Sequence, residues 1–235
     1  MEEESLLIKI LLRILFPFVL IVRIIYDALM GMRLLSIPKI QYDIARIVKN
    51  QQNYKKVVKY YKKYLAYIEN KINKLEKINQ NKESNFYIDL KFKLALVNCE
   101  LALYIDKCDS NNELKKEYYQ KAIDIFLSLP ELKNESEEIG KVGAIGKCYM
   151  QLYDFKNAIK YYDLAISSTI SKNNKHHKNT IGIYYYEKAA CLYKLNSSLE
   201  DVLALIKLAK KHGYDEITCN EKIQFIQEKL KDTNK

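Results

Sequence analysis

Residues 140–166 read GKVGAIGKCYMQLYDFKNAIKYYDLAI, and the spacing of their small and aromatic side chains decides the fold. Ile145 and Gly146 precede Tyr149; Ala158 comes twelve residues after Gly146, Tyr162 four after that, and Ala165 three further on. Apolar residues recurring three and four apart mark helices. Small residues at Gly146, Ala158 and Ala165 let two antiparallel helices approach closely, while Tyr149 and Tyr162 fill the space beside them. The stretch predicts a tight helical hairpin.

The same intervals recur. In residues 184–213, Ala190 precedes Tyr193, Val202 lies twelve residues after Ala190, and Ile206 and Ala209 follow. In residues 41–65, Ala45 precedes Val48, Val57 lies twelve after Ala45, and Tyr61 and Tyr64 follow, the last standing where a small residue is preferred. A weaker unit between Phe86 and Leu129 offers Ala102, Ile105, Tyr119 and Ala122 with a linker one residue longer. This grid resembles the tetratricopeptide repeat (TPR), which places a large and a small residue before an aromatic, then A-x-x-x-F/Y-x-x-A. The phrase KLAKKHGYDE at 207–216 is similar to the closing repeat of bacterial TPR arrays, with Gly213 ending the helix.

The resemblance covers roughly residues 38–235. It implies an all-α, TPR-like α-solenoid of antiparallel helix pairs with a concave groove for a peptide or partner helix, and no chemistry. The expected units are 38–71, 86–130, 139–172 and 183–216, closed by a polar-faced capping helix at 217–231. Peptide-carboxylate clamps in that family need three contiguous clean repeats. Two spacers interrupt this array, the polar stretch 74–84 and extra residues near 171–182, so no clamp residue is assigned. Ala158 and Val202 are 44 residues apart, against a usual repeat of about 34.

Composition agrees with helices. The chain has 49% hydrophobic and 29% charged residues but only 6 Gly and 3 Pro, too few for the tight turns of a sheet-rich fold. Five cysteines form no C-x-x-C pair and show no metal-ligand spacing with the three histidines, so they read as free thiols of a reducing compartment. His176 and His177 read as a solvated loop.

Residues 1–37 form a separate hydrophobic segment, LLIKILLRILFPFVLIVRIIYDALMGMRLLSI from Leu6 to Ile37. Its longest charge-free run, Ile14 to Val22, is nine residues, short of the about 20 that span a bilayer. Lys9, Arg13, Arg23 and Asp27 fall on one helical face. Three placements are open: a transmembrane helix with snorkelling cations, an interfacial helix bent at Pro17, or a helix packed in the groove of the repeats. Apolar residues surround the helix between Arg13 and Arg23, which favours contact with membrane lipid. From Gln41 to Gln80, ten basic residues stand against three acidic ones. With the heavier basic flank after the segment, the positive-inside rule places the repeats in the cytosol; a soluble cytoplasmic protein is the alternative.

Lys55, Lys59, Lys62 and Lys63 form a candidate basic patch facing lipid or a partner. Tyr60, Tyr61, Tyr64 and Tyr67 interleave with them, and tyrosine can stack on single-stranded bases. The expected function is therefore a non-enzymatic, membrane-tethered scaffold that binds a protein or peptide. Nucleic-acid binding through the basic first repeat is the lower-ranked alternative. No catalytic, cofactor-binding or metal-ligating set is found: there is no phosphate-binding Gly loop, HExxH or GxSxG. Glu137, Glu138 and Asp109 read as solvent-facing loop carboxylates.

Overall fold

The computed structural model describes residues 54–77, 84–108, 112–171 and 178–233. Eight helices and no strand occur among them: α1 Tyr54–Lys77, α2 Asn85–Cys108, α3 Asn112–Ser128, α4 Glu135–Gln151, α5 Phe155–Ser171, α6 Lys178–Lys194, α7 Leu199–Lys211 and α8 Glu216–Thr233. Each helix packs mainly on its neighbours in sequence. Pairs α2–α3, α4–α5 and α6–α7 stack in order, with α1 at one end and α8 at the other. The array is a helical-repeat solenoid, in which each unit buries its apolar face on the next.

Local chemistry sets the helix ends. Asn134 caps α4, its Oδ1 accepting from the Ser136 and Glu137 backbone N–H groups at 2.9 and 3.3 Å. Glu135, Glu137 and Glu138 occupy the first turn, where carboxylates complement the helix dipole. Glu137 and Glu138 are thus helical, a correction to their loop reading. Glu138 is half-buried: it accepts from the Leu132 N–H at 2.7 Å and pairs with Lys141 at 2.9 Å, fastening the turn before α4. At the far end of α7, Gly213 takes φ 80°, the left-handed position that glycine fills without penalty.

Four apolar clusters run along the array rather than one central core. The first joins α1 to α2 through Val57, Tyr61, Ile68, Val97 and Leu101. The second joins α2, α3 and α4, and the third centres on Ala158, Tyr162 and Ala165 between α4, α5 and α6. The fourth joins α6, α7 and α8 through Ala189, Val202, Ile206, Ala209 and Ile226.

Backbone hydrogen bonds fix the true register of the repeats. Leu152 and Asp154 donate to Cys148 and Tyr149 after α4, and Leu195 and Ser197 donate to Cys191 and Leu192 after α6. Tyr153 and Asn196 take the matching positive φ of 64° and 54°. Cys191 therefore matches Cys148, and the residue matching Gly146 is Ala189. The sequence grid placed Ala190 and Tyr193 there. Ala189 is 1% exposed whereas Ala190 is half-buried. The turn after α6 is one residue longer, so Val202 still matches Ala158 while the preceding helix is offset by one.

The structure also departs from the pattern in α3. Tyr119 and Ala122 match Tyr162 and Ala165, but Lys115 stands where Ala158 would. Its side chain is buried, and its ammonium lies 2.7 Å from the Asp106 carboxylate. A buried ammonium requires such a partner.

Candidate interaction groove

The first helices of successive pairs touch directly, α2 with α4 and α4 with α6. α2, α4 and α6 therefore run side by side along one face of the stack, called its inner face. Cys99 and Glu100 of α2, Lys147 of α4 and Glu187 of α6 interact electrostatically across it. Burial pushes the Glu187 carboxyl above its ordinary range, and Lys147 partly opposes that rise. The Cys99 thiol is held well above the usual range by its hydrogen bond with Cys148, then by burial and Glu100, again opposed by Lys147. Lys147 is exposed, and neither Lys147 nor Glu187 forms an ion pair within 4 Å among the described residues. This face thus presents an exposed cation near half-buried groups of α2 and α6.

The packing-signature residues sit behind this face. Gly146, Ala158 and Ala165 are buried in the α4–α5 seam beside the buried Tyr162. A Cβ at Gly146 would lie 3.0 Å from the Tyr162 ring, which explains the glycine. Tyr149 is half-buried and stacks on Tyr161 at 5.5 Å. Ala209 is fully buried in α7. Tyr193 lies outside the seam, edge-on to Phe225 at 6.2 Å, and its hydroxyl accepts from Lys229 at 2.7 Å. Ala190 and Tyr193 instead line a cavity of about 250 Å³ with Val202, Ile206, Phe225 and Ile226, and Lys194 and Lys222 at its edge.

Two glycines that the sequence left unremarked make the closest approaches. At Gly143 a Cβ would collide with the Tyr184 ring. At Gly182 it would meet the backbone of Ala209, His212 and Tyr214 at 2.9 to 3.0 Å. Neither belongs to the twelve-four-three grid: the Gly143 contact crosses from α4 to α6, which the grid does not relate, and Gly182 lies near the start of α6, ahead of the grid's first position in that pair.

On α1, Lys55, Lys59, Lys62 and Lys63 are all exposed. The tyrosines beside them are not free platforms. Tyr61 is 1% exposed, Tyr64 is buried, and Tyr60 and Tyr67 pack against the first cluster. Tyr61 and Tyr64 are thus committed to the core, and only Tyr60 and Tyr67 keep part of a ring exposed beside the lysines.

Among the described residues no three His, Cys, Asp or Glu side chains converge on a metal position, and no helix is long and apolar enough to cross a membrane. The hydrophobic segment 1–37 and the first half of the unit at 38–71 lie outside the described residues.

No family model and no curated protein matches the chain. Solved structures do. Nearly identical TPR-like repeats named for a kinesin light chain of Podosopora anserina superpose with a TM-score of 0.53 at 12% identity, over 86% of this chain and 95% of that one. A second structure of those repeats gives 0.52 at 11% identity, over 85% and 94%. The fold is TPR-like. Aspartyl phosphate phosphatase F from Bacillus subtilis gives a TM-score of 0.50 at 14% identity over 83% of this chain. This chain spans 46% of that protein's length.

Proposed function

We propose that this protein is a non-catalytic interaction scaffold that holds a peptide or partner helix in the groove of α2, α4 and α6, and that residues 1–37 tether it to a membrane. The observation that carries the first half is Lys147: an exposed cation with no ion-pair partner within 4 Å among the described residues, near the half-buried Glu187. The tether rests on the all-round apolarity of the first segment and the basic residues after it. On this reading Lys55, Lys59, Lys62 and Lys63 face anionic headgroups, where each well-placed lysine contributes about 1 kcal/mol.

Affinity capture from detergent-solubilised membranes tests both halves. The full chain should retain a partner that Lys147→Glu loses and that Lys207→Glu, on the exposed face of α7, keeps. A partner set unchanged by Lys147→Glu would place binding elsewhere. The full chain should also resist carbonate extraction from membranes, while a chain of residues 38–235 is released. Replacing the four α1 lysines by Gln should weaken binding to anionic vesicles at low salt without changing helicity; equal binding would retire the lipid-facing patch.

A further inference from the structure

Cys99 of α2 and Cys148 of α4 are 49 residues apart in sequence, yet their Sγ atoms lie 2.9 Å apart. Even two carbon atoms in packing contact stay about 3.5–4.0 Å apart, and sulfur is larger. A disulfide bond is about 2.05 Å long. The pair therefore stands about 1 Å from bonding distance, on two helices already in contact. Cys148 is 1% exposed and Cys99 is half-buried, so a small oxidant meets Cys99 first. Cys191 and Cys219 are fully buried in the third and fourth clusters.

We propose that Cys99 and Cys148 are a reversible disulfide site, closed by a hydroperoxide, that staples α2 to α4. The Cys99 thiolate attacks one peroxide oxygen; the O–O bond breaks, an S–O bond forms, and the departing hydroxide takes a proton to become water. Cys148 Sγ then attacks Cys99 Sγ. The S–S bond forms, the S–O bond breaks, and the second hydroxide leaves with the Cys148 proton as water. Two thiols are oxidised and one hydrogen peroxide is reduced to two waters. The raised Cys99 thiol makes this slow at neutral pH and faster as pH rises, because the thiolate is the nucleophile. The bridge joins the first helices of adjacent units and fixes the spacing across the inner face. It stands whether or not that face binds a partner.

The full chain, reduced and then exposed to hydrogen peroxide in mild detergent, should lose about 2 Da without gaining oxygen. Peptide mapping should find Cys99 linked to Cys148. Closing so long a loop should raise the melting temperature by on the order of 10 °C, and dithiothreitol should reverse the shift. The rate of linking should increase from pH 7 to pH 9. Cys99→Ser and Cys148→Ser should each abolish the linked peptide, while the Cys191→Ser, Cys219→Ser double variant keeps it. If Cys148→Ser fails to fold, the half-buried Cys99→Ser carries the test. A natively folded wild-type chain that yields no linked peptide, yields Cys99 sulfinic acid, or bridges Cys99 to Cys108 overturns the proposal.

Discussion

The α4–α5 and α6–α7 pairs open on turns that start alike and differ by one residue, yet they fill their seams differently. In α4–α5 the Tyr162 ring lies against Gly146, and Ala158, Tyr162 and Ala165 are each 1% exposed or less. In α6–α7 Ile206 replaces that ring. A cavity of about 250 Å³ remains beside it, walled partly by Phe225 and Ile226 of α8. Hydrogen bonds in the turns, 3.0 to 3.1 Å in both pairs, set the backbone register. The volume of one side chain sets how completely the seam closes. The central pair completes its own seam, whereas the last needs the capping helix.

The largest test of this contrast is Ala158→Arg. It forces a guanidinium into a position with 0% exposure, so overpacking and an unpaired buried charge combine. The expected loss is about 4 kcal/mol or more, read as a melting-temperature drop exceeding roughly 10 °C. An unchanged melting temperature would mean that the seam is not where the hydrogen bonds put it.

Gly182→Ala comes next. Its new methyl would press on backbone atoms of the α7 terminus at 2.9 to 3.0 Å, and backbone yields less readily than a side chain. A loss of about 2–3 kcal/mol is expected in thermal or urea denaturation. Full stability would show that α6 and α7 can separate freely, and that the last pair is looser than described.

A matched pair of substitutions then compares the seams themselves. Gly146→Leu should cost about 1–3 kcal/mol, because Tyr162 already fills the space. Ala190→Leu, which points into the cavity, should cost less than about 0.5 kcal/mol. Equal losses from the two variants would show that the seams are equally full.

The smallest effect is electrostatic. Burial raises the Glu187 carboxyl above its ordinary 4.5, so the folded state holds that proton more tightly than the unfolded chain. Ionising Glu187 therefore lowers stability at neutral pH, and this loss disappears as pH falls below the unfolded value. Glu187→Gln should melt slightly higher than wild type at pH 7 and alike at pH 4. A variant less stable at pH 7 would show that Lys147 outweighs burial, and that the two already form a stabilising pair.

Much of the architecture is legible in residue order. Helix period, scarce Gly and Pro, and the repeated intervals point to stacked helix pairs, and the Gly213 stop and the closing helix follow from local chemistry. The misplaced Ala190 shows the limit of such reading. Both Ala189 and Ala190 are small, and only the hydrogen bonds after α6 reveal a turn one residue longer. Tyr61 and Tyr64 stand at packing positions of the repeat grid and are buried, whereas the packing of Tyr60 and Tyr67 against the first cluster depends on neighbours that the sequence does not show. The repeated intervals give no sign of Lys115, and only its burial beside Asp106 makes it a seam residue.

What the sequence by itself determined is local and periodic: helices, their caps, and the small-residue intervals that let adjacent helices approach, since three- and four-residue spacing projects onto one helical face. What only the tertiary structure decided joins residues far apart along the chain. It brought Lys147 near Glu187 and Cys99, set Gly182 against the end of α7, and placed the Cys99 and Cys148 sulfurs at 2.9 Å. No interval along one helix encodes such pairs, because their distances depend on the angle between packed units, and that angle is set by the summed volumes of every side chain between them.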